Sequence, residues 1–506
     1  MQKQIKTALI SVYHKDGLEP IVKSLNKLGV KIYSTGGTHE FIEKLKIEAI
    51  KLEDLTGYPS VFGGRVKSLH PKIFGGILSV RDNNEHQKEV KKYEIPQIDL
   101  VIVDLYPFED TIKKEQDESE IIEQIDIGGI SLIRAAAKNY RDVLVVAHRN
   151  QYNQLYSLLE EDNGFTSIEI RKEFAKSAFA ISSGYDSAIF NWFDNYNFSE
   201  LRVSESIRTK LKYGENPHQN AYYFGDLSDI FDQLHGKELS YNNLLDIDAA
   251  INLMNDFKST TSFAIIKHNN ACGFASRTNL IDAWKDALSA DPVSAFGGII
   301  ITNAIIDHET ASEINKIFFE IIIATDYTAD AFDILSQKKN RIILKQKPAK
   351  LSDVNFRTSL NGILVQGRDN KQEEEKDLKT VTKQSPTKQE IQDLIFANKL
   401  VKHTKSNAIV LVKNLQLLGS GTGQTSRVDA LKQAIAKAHN FGFDLKGAVM
   451  ASDAFFPFND SVEIAHKEGI SAIIQPGGSI RDDESINYCN DNNLAMIFTG
   501  ARHFKH

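Results

Sequence analysis

The chain has 506 residues, of which 42% are hydrophobic and 25% charged, and its formal net charge is −7. These values are typical of a globular protein with about three domains, and they exclude collagen, coiled coil and wholesale disorder. The mild acidity gives no support to a nucleic-acid coat or a binder of anionic membranes, and no apolar run could span a bilayer. Because Cys272 and Cys489 are the only cysteines, a disulfide framework and a Cys-rich zinc module are excluded, which favours a reducing, cytoplasmic setting.

The first part of the chain alternates between two patterns. Short β-branched apolar runs bounded by Gly, Asp or Pro predict strands at 7–12, 30–35, 100–105 and 143–147. Stretches with helical periodicity, such as 18–28 and 40–45, lie between them. This alternation predicts an α/β fold with a parallel sheet and helices on its faces. A further helix at 168–185 closes a first domain, residues 1–198.

The remainder, residues 199–506, again mixes strands (262–267, 298–302, 408–413, 448–452) with helices (280–290, 427–439). Residues 371–393 are almost wholly polar and predict an exposed connector or surface helix between subdomains 199–370 and 394–506. The two subdomains echo each other, since each has an acid followed by Phe: Asp291 to Phe296 and Asp453 to Phe458. This echo indicates either a duplicated unit or a chance similarity.

Two segments near the N-terminus are equipped to bind a phosphate group. Residues 34–38 (Ser-Thr-Gly-Gly-Thr) follow a strand and precede a helix, so backbone N–H groups and the helix N-terminus favour an anion. Thr38 fits equally well as a helix N-cap with only a structural role. Residues 65–72 add four potential cations between two glycine pairs, although a solvated basic loop is the commoner outcome for such a run. Together the two segments favour a phosphate monoester.

A second set of residues offers acid–base chemistry. Tyr106 follows strand 100–105 at the edge where open α/β sheets bind ligands, and Asp126 precedes a helix that contains Lys138. Together these three side chains could hold a carbonyl group and move protons. Singly, each is better explained as a cap or a surface group.

Strand 262–267 runs directly into the string Lys267-His268-Asn269-Asn270-Ala271-Cys272-Gly273. A histidine there can act as a general base near neutral pH, and lysine is a point-charge donor for a developing oxyanion. His268 and Cys272 supply only two metal ligands, so no metal is expected. No second feature supports Cys272 as a nucleophile.

Residues 453–460 (Asp-Ala-Phe-Phe-Pro-Phe-Asn-Asp) place three phenylalanines and a proline between acids. One interpretation is an aromatic slot for a flat heterocycle whose amino groups the carboxylates fix. The other is a core corner with capping acids. Pro457 argues against a plain helix.

Taken in order, these strings resemble one family, the bifunctional enzymes of purine biosynthesis. YSTGGT, GRVKSLHPKIFGGIL, DLYPF, IDIGG and RAAAKNY are similar to the family's N-terminal part; KYGENPHQ, IIKHNNACG, GTGQTSR, ASDAFFPFND and the Arg-His-Phe-x-His end are similar to its C-terminal part. In that family, phosphoribosylaminoimidazolecarboxamide formyltransferase is joined to IMP cyclohydrolase. The resemblance implies a methylglyoxal-synthase-like α/β domain followed by two cytidine-deaminase-like α/β/α subdomains. It also implies a homodimer with a transferase site shared between subunits.

The resemblance further implies a two-step conversion of small molecules, with neither nucleic acid nor membrane as partner. A formyl group would pass from 10-formyltetrahydrofolate to 5-aminoimidazole-4-carboxamide ribonucleotide (AICAR), and formyl-AICAR would then close to IMP with loss of water. Lys267 and His268 would be the transferase pair, with Asn407 helping to hold the formyl group. The cyclohydrolase set would be Lys138, Tyr106 and Asp126. A monovalent cation near Asp453 is a further implication.

Other matched residues would bind substrate. In the cyclohydrolase part they are Ser11, Lys15, Thr35, Gly36, Gly37, Thr38, Lys67, Ser68, His70, Gly128 and Gly129, and in the transferase part they are Lys212, Tyr213, Gly214, Phe455, Phe458, Asp460 and Arg502. Lys212 stands where many relatives have Arg, so a bidentate phosphate contact would become a single point charge.

The chain departs from the family pattern at Tyr13 and His14, where relatives often have Ser-Asp, and at Asp104, where several have Asn. These departures keep an alternative open, namely a formyltransferase whose N-terminal domain binds nucleotide without cyclising it. A non-enzymatic protein that senses purine nucleotides is a third hypothesis, against which the retained Lys267-His268 pair argues.

Overall fold

The computed structural model describes residues 2–114 and 117–506, and the chain divides after Ser206 into two compact units. Within the described ranges, no helix combines the length and the apolar composition needed to cross a membrane. The N-terminal strands are β1 (Lys3–Gln4), β2 (Thr7–Ser11), β3 (Lys31–Ser34), β4 (Ile50–Lys51), β5 (Leu100–Val103), β6 (Leu144–Val146) and β7 (Phe165–Thr166). The helices of this unit are α1 (Leu18–Lys27), α2 (Gly36–Lys44), α3 (Leu52–Thr56), α4 (Pro71–Leu78), α5 (Asn84–Lys92), α6 (Phe108–Lys113), α7 (Glu118–Glu123), α8 (Gly128–Lys138), α9 (Tyr152–Glu160) and α10 (Ile168–Phe193).

A five-stranded sheet in the order β4-β3-β2-β5-β6 forms the centre of the N-terminal unit, and every pairing in it is parallel. Alternate residues of β2 face opposite sides, so Ile10 packs with α1 and α9 whereas Leu9 packs with α4 and α8. Both faces are therefore covered by helices, which is the usual condition of a parallel sheet. The predicted parallel α/β fold is confirmed for this unit.

Two helix boundaries differ from the prediction. Helix α2 begins at Gly36 rather than Glu40, because Thr35 and the two glycines already form its first turn. Helix α10 continues from Ile168 to Phe193, beyond the predicted end at Tyr185, because Tyr185 and Trp192 still pack against Phe108.

The C-terminal unit contains the remaining elements. Its strands are β8 (Arg208–Leu211), β9 (Ala221–Phe224), β10 (Phe231–His235), β11 (Thr261–Lys267), β12 (Asn270–Arg277), β13 (Ile299–Thr302), β14 (Ile305–Ile306), β15 (Ile321–Ala324), β16 (Asp326–Tyr327), β17 (Ile342–Gln346), β18 (Val354–Ser359), β19 (Gly362–Gly367), β20 (Lys379–Thr380), β21 (Ile409–Lys413), β22 (Gln416–Gly421), β23 (Val449–Ser452), β24 (Ala472–Gln475) and β25 (Ala495–Phe498). Its helices are α11 (Tyr241–Met254), α12 (Leu280–Ser289), α13 (His308–Ile314), α14 (Ala329–Leu335), α15 (Lys388–Lys402), α16 (Arg427–Asn440), α17 (Asp460–Lys467) and α18 (Asp482–Asp491).

The central twelve-stranded sheet of this unit consists of two six-stranded halves that have the same strand arrangement and are joined edge to edge. From the centre outward, one half runs β12, β11, β13, β15, β17, β10 and the other β22, β21, β23, β24, β25, β20. Each half has an antiparallel hairpin, three parallel strands and an antiparallel outer strand. Helices α11 and α15 share one core on one face, whereas α12 and α16 lie in separate cores. The topology therefore supports a duplicated unit, and the cytidine-deaminase likeness stays a prediction.

The duplication does not, however, account for the similar spacing of the two acid-to-Phe strings. Asp291 precedes β13, whereas Asp453 follows β23, and these two strands are equivalent in the two halves. The similar spacing of the two strings is therefore a coincidence.

Residues 371–393 are more ordered than an exposed connector. Glu373 is buried against His503, β20 pairs with β25 at the edge of the sheet, and α15 begins at Lys388. The polar composition concealed these contacts because the partners of the buried acids lie far away in the sequence.

Two glycines mark equivalent close approaches of a strand to a helix in the two halves. A Cβ at Gly273 would lie 2.1 Å from the Ala287 carbonyl oxygen, and one at Gly419 would lie 2.3 Å from that of Ala434. Each glycine is the fourth residue of its strand and each alanine the eighth of its helix, so the contact belongs to the repeated unit.

We predict that Gly419→Ala lowers the free energy of unfolding by about 3 kcal/mol, because the added methyl overlaps a backbone carbonyl that cannot move alone. Urea unfolding followed by circular dichroism measures this change. Gly362→Ala, on the open hairpin β18–β19 where the nearest atom would be 3.9 Å away, is the matched control and should unfold like the wild type. An unchanged urea midpoint for Gly419→Ala would contradict the close approach.

Candidate active site

A cavity of about 510 Å³ opens where β2, β3 and β5 of the N-terminal sheet end. Because the strands are parallel, their carboxyl ends bring Ser11, Thr35 and Asp104 to one edge. Eleven of the predicted residues line this cavity: Ser11, Lys15, Thr35, Gly37, Thr38, Lys67, Ser68, Tyr106, Asp126, Gly128 and Gly129. The structure thus brings most of the cyclohydrolase set together.

One end of the cavity suits an anion. Thr35 is the N-cap residue of α2, whose first backbone N–H groups have no acceptor within the helix. The Thr35 and Ser11 hydroxyls lie 2.7 Å apart. Lys15 and Lys67 line the same space, and burial lowers the pKa of Lys15, with Lys67 contributing in the same direction. A bound phosphate would relieve the repulsion between the two ammonium groups.

Thr38 is not the N-cap that the sequence allowed. It lies inside the first turn of α2, and its hydroxyl accepts a hydrogen bond from the Val12 amide (3.1 Å) and donates one to the Val12 carbonyl (3.0 Å). Thr38 therefore ties α2 to the end of β2, next to the cavity.

Tyr106 and Asp126 face the cavity with altered acidity. Burial raises the pKa of the Tyr106 phenol, and the negative charge of Asp126 raises it further, so the phenol stays protonated. Burial also raises the pKa of Asp126, although its carboxylate accepts a hydrogen bond from the Gly129 amide at 2.5 Å. A Cβ on Gly129 would lie 2.6 Å from that carboxylate, so a larger residue there would displace the Asp126 side chain. The pair combines a neutral donor with a basic carboxylate.

The three departures from the family pattern form one connected group. The buried Asp104 carboxylate accepts hydrogen bonds from the backbone N–H groups of Tyr13 and His14 and pairs with the His14 ring at 2.9 Å. The Tyr13 ring packs edge-on against Tyr106, with the ring centroids 5.4 Å apart. Tyr13, His14 and Asp104 therefore stabilise one another at the wall of the cavity.

Three predicted residues are not among those lining the cavity. Lys138 is exposed at the far end of α8, about 15 Å along the helix axis from Gly128. His70 caps α4, its Nδ1 accepting from the Lys72 amide at 3.2 Å. Gly36 begins α2 beside the lining residue Gly37. The cavity of this chain thus combines Tyr106 with Asp126 but not with Lys138.

In the C-terminal unit, Lys267 and His268 lie where β11 turns into β12. His268 and Asn269 both have left-handed backbone conformations, with φ of 51° and 64°. The Lys267 ammonium donates to the Phe296 carbonyl at 2.9 Å and would lie 3.2 Å from a Cβ on Gly297. Phe296 and Gly297 were not assigned to the site from the sequence, although Phe296 belongs to one of the echoed strings.

The turn is connected to two distant segments. The Asn270 side chain accepts from the Lys405 amide at 2.9 Å, and the Lys505 ammonium donates to the Asn269 carbonyl at 3.4 Å. Asn407 lies two residues after Lys405 in the chain, and its side-chain amide donates a hydrogen bond to the Gln424 carbonyl at 3.0 Å. The turn and Asn407 are therefore linked through the chain segment 405–407.

The Cys272 thiol lies on β12 beside this turn. Burial raises its pKa to about 12, so it stays protonated at neutral pH. Within the described ranges, no cluster of three His, Cys, Asp or Glu side chains is arranged to hold a metal ion.

The remaining predicted residues lie near the surface, apart from Gly214. Gly214 closes its loop by donating to the Gln219 carbonyl at 2.8 Å, with the Lys212 ammonium over the Tyr213 ring. The Arg502 guanidinium lies over the Phe504 ring. Phe455 and Phe458 are exposed on either side of buried Phe456, and Asp460 begins α17, which agrees with the expectation that Pro457 interrupts helix.

A helix N-terminus with free N–H groups, a protonated phenol and a buried carboxylate meet in one cavity, and this combination is typical of α/β enzymes that act on phosphorylated small molecules. Comparisons with known proteins agree. A family model described as "AICARFT/IMPCHase bienzyme" matches residues 136–437, and one described as "MGS-like domain" matches residues 17–131. The chain belongs to the AICARFT/IMPCHase bienzyme family.

Curated relatives match over nearly the full length. A protein named "Bifunctional purine biosynthesis protein PurH" from Bacteroides thetaiotaomicron is 62% identical over 504 residues, covering 100% of this chain and 99% of the relative. Proteins of the same name from Caldicellulosiruptor saccharolyticus and Aquifex aeolicus are 49% and 46% identical, and each match covers 99% of this chain and 100% of the relative. The predicted family and its methylglyoxal-synthase-like N-terminal part are confirmed.

The buried carboxylate of Asp126 predicts a pH-dependent stability. Its folded-state pKa is raised, so its protonated form favours folding, and this advantage is lost as the pH rises through the raised pKa. Asp126→Asn buries no charge, so it should melt at a higher temperature than the wild type at pH 7. The difference in melting temperature should narrow as the pH is lowered.

Calorimetry at several pH values measures these melting temperatures. Asp110→Asn, which removes an exposed carboxylate from α6, is the control and should leave the melting temperature unchanged. A lower melting temperature of Asp126→Asn at pH 7 would show that the carboxylate stabilises the fold.

Proposed function

We propose that the N-terminal cavity closes formyl-AICAR to IMP and that the Lys267-His268 turn transfers the formyl group to AICAR. Membership of the bienzyme family supports both activities. The observation that carries the assignment of the cavity is the pairing of protonated Tyr106 with buried Asp126 beside an anion-binding helix N-terminus. This pairing argues against the alternative of an N-terminal domain that only binds nucleotide.

In the cyclisation, the carboxamide nitrogen of formyl-AICAR attacks the formyl carbon of the same molecule. Asp126 takes a proton from that nitrogen, for which its raised pKa makes it a stronger base. Tyr106 donates a hydrogen bond to the formyl oxygen as negative charge develops there. A carbon–nitrogen bond forms, and the formyl oxygen becomes the hydroxyl of a carbinolamine by taking up the proton that Asp126 removed. The bond between carbon and this oxygen then breaks, the formamido nitrogen gives up its proton as it forms a double bond to the carbon, and the oxygen leaves as water with both protons. Because both reacting groups belong to one molecule, their proximity supplies much of the rate.

Substrate is held by the groups around this pair. The first turn of α2, Ser11, Lys15 and Lys67 bind the 5′-phosphate, and Ser68 with the Gly128-Gly129 backbone borders the base. Lys138 takes no part in the steps assigned to this cavity, because it lies at the far end of α8.

In the transfer, the 5-amino group of AICAR attacks the formyl carbon of 10-formyltetrahydrofolate. His268 takes a proton from the attacking nitrogen, and Lys267 stabilises the oxyanion of the tetrahedral intermediate. The bond between that carbon and folate nitrogen N10 then breaks, and N10 takes up a proton. Asn407 holds the formyl oxygen.

Exposed residues of the C-terminal unit complete the transfer site in this proposal. Lys212, Tyr213, Gly214 and Arg502 bind AICAR, and the exposed rings of Phe455 and Phe458, with Asp460, bind the folate. The Arg481 guanidinium already covers one face of Phe458 at 4.6 Å from its centroid, so this ring has affinity for a flat polar group.

A monovalent cation fits beside Asp453. One carboxylate oxygen of Asp453 accepts from the Arg427 guanidinium at 2.7 Å, and the other is buried without a hydrogen-bond partner in the described part of the chain. A carboxylate oxygen in that state suits a hard cation. The cation would balance charge and fix the loop that follows β23.

We further propose a cytoplasmic homodimer, and the hairpin β18–β19 supports it. This hairpin forms a separate two-stranded sheet, and Phe356, Leu360, Ile363 and Leu364 expose large apolar areas. Such a patch on a two-stranded sheet calls for a covering surface, and a second copy of the chain is the occupant that the shared transferase site requires. Free Cys272 and Cys489 support a reducing compartment.

Reciprocal variants test the assignment of the two activities. His268→Ala should abolish formyl transfer yet leave the cyclisation of supplied formyl-AICAR intact, whereas Asp126→Asn should abolish cyclisation and let formyl-AICAR accumulate. Chromatography of the products formed from AICAR and 10-formyltetrahydrofolate measures both steps. His308→Ala, an exposed histidine on α13, is the control and should retain both. Loss of both activities in His268→Ala would mean that the assignment is wrong.

Two aspartates introduced into the β18–β19 hairpin test the proposed dimer. Leu360→Asp combined with Leu364→Asp should shift the protein from dimer to monomer, because two carboxylates would be buried at an apolar contact. Size-exclusion chromatography with light scattering measures the mass. Asn355→Asp adds a charge to an exposed position of the same hairpin and should leave the dimer intact. A double variant that stays dimeric would place the interface elsewhere.

A further inference from the structure

We propose that Asp246, on helix α11, is a positioning residue for formyl transfer that fixes the backbone of the Lys267-His268 turn through the amide of Asn269. The inference rests on the proposed role of this turn in transfer. It follows from the contacts of Asp246 and from comparison of the two halves of the duplicated sheet.

Asp246 makes a direct hydrogen bond to the turn. Its Oδ1 accepts from the Asn269 backbone N–H at 2.6 Å. The Asn269 side-chain amide, oriented to satisfy its neighbours, donates to the same oxygen and to the Leu245 carbonyl, each at 3.0 Å. His268 and Asn269 are both left-handed, a conformation that asparagine tolerates better than histidine, and the hydrogen bonds to Asp246 stabilise it from outside the turn.

The other half of the sheet contains the same device. The turn between β21 and β22 is formed by Asn414 and Leu415, which also have positive φ values of 52° and 56°. Their backbone N–H groups donate to the two carboxylate oxygens of Asp393, at 2.9 and 2.7 Å. A carboxylate thus anchors each of the two equivalent turns.

The two carboxylates occupy equivalent places in equivalent helices. Asp246 is the sixth residue of α11 and Asp393 the sixth of α15. Both helices begin with a capping box, formed by Ser240 with Asn243 in α11 and by Thr387 with Glu390 in α15. The anchor is therefore a property of the repeated unit, present wherever the unit forms a left-handed hairpin turn.

The two turns differ in what surrounds them. The Arg277 guanidinium covers the Asn414 carbonyl at 2.7 Å, and Asp393 is almost fully buried with both oxygens occupied. Asp246 is only partly buried, and burial raises its pKa, whereas the hydrogen bond from the Asn269 amide and the charge of Lys267 act in the opposite direction. Asp246 thus anchors the backbone of the turn between β11 and β12, while the side chains of this turn stay accessible.

This arrangement explains how Asp246 acts through its neighbours. The proposed acid–base histidine immediately precedes the anchored amide, and Lys267 precedes the histidine, so a rotation of the Asn269 peptide would redirect both side chains. A misplacement of about 1 Å costs up to about 100-fold in rate when reacting groups must be aligned. Substrate binding, which uses other segments in the proposed function, would change much less.

Steady-state kinetics of formyl transfer by the full-length protein test the inference, with AICAR and 10-formyltetrahydrofolate as substrates. Asp246→Ala should lower kcat by about 30-fold because the turn loses its anchor. The KM for AICAR should stay within about threefold, and cyclisation of supplied formyl-AICAR should be unchanged. Asp246→Asn keeps an oxygen that can accept from the Asn269 amide, and it should recover kcat to within about threefold of the wild type.

Asp393→Asn is the matched control, because it alters the same anchor in the turn that carries no proposed catalytic group. It should lower the melting temperature while kcat for transfer stays within about twofold of the wild type. If Asp246→Ala does not fold, Asp246→Glu, which moves the acceptor by one methylene group, replaces it and should also lose kcat.

Three results would overturn the inference: an Asp246→Ala variant with wild-type kcat, an asparagine variant as slow as the alanine variant, or a loss of kcat in Asp393→Asn as large as that in Asp246→Ala. Absence of transfer by the wild-type protein would overturn the proposed function and this inference with it. Wild-type transfer together with a fully active Asp246→Ala would overturn only the inference.

Discussion

The two half-sheets of the C-terminal unit are joined at a seam where a shared hydrophobic core is reinforced by the side chain of Arg277. Strands β12 and β22 pair directly only at Ala275 and Gln416, so the ladder is short there. The Arg277 guanidinium extends it by donating to the Asn414 carbonyl and the Gln416 side chain, while Asp286 holds its Nε at 2.6 Å. A planar group with five fixed donors suits this place, and lysine could not replace it.

The same seam gives the duplication a functional asymmetry. Two equivalent hairpins produce two equivalent left-handed turns, and Arg277 closes one of them. The other turn faces Lys405 and Lys505, whose ammonium and amide groups approach without covering Lys267 and His268. The duplicated arrangement thus contains one turn that Arg277 covers and one whose side chains stay accessible, and in the proposed function the second turn carries the chemistry.

Residues marked by a local sequence pattern could be predicted, whereas residues whose roles depend on long-range contacts could not. Lys267 and His268 were identifiable because a buried apolar strand ends directly at them, and residues 34–38 because glycines follow a strand. By contrast, Glu373 lies in a polar run, and its buried carboxylate is held by His503 at 3.2 Å and Asn398 at 2.8 Å, both from distant segments. Lys138 lies on the same helix as the cavity residues Gly128 and Gly129, but the rise of α8 carries it away from them. The anchors Asp246 and Asp393 lacked any local signal, because each requires knowledge of which turn its helix meets.

The polar segment 371–393 has a consequence for solubility. A twelve-stranded sheet with an open edge would present unpaired backbone groups on which another chain could add as a strand. Strand β20 forms one edge of the sheet. It consists of two exposed residues, Lys379 and Thr380, and is too short for another chain to pair with it as a further strand. The segment therefore protects the outer strand β25 against edge-to-edge aggregation, and its hydrophilic composition is what makes it suited to that task.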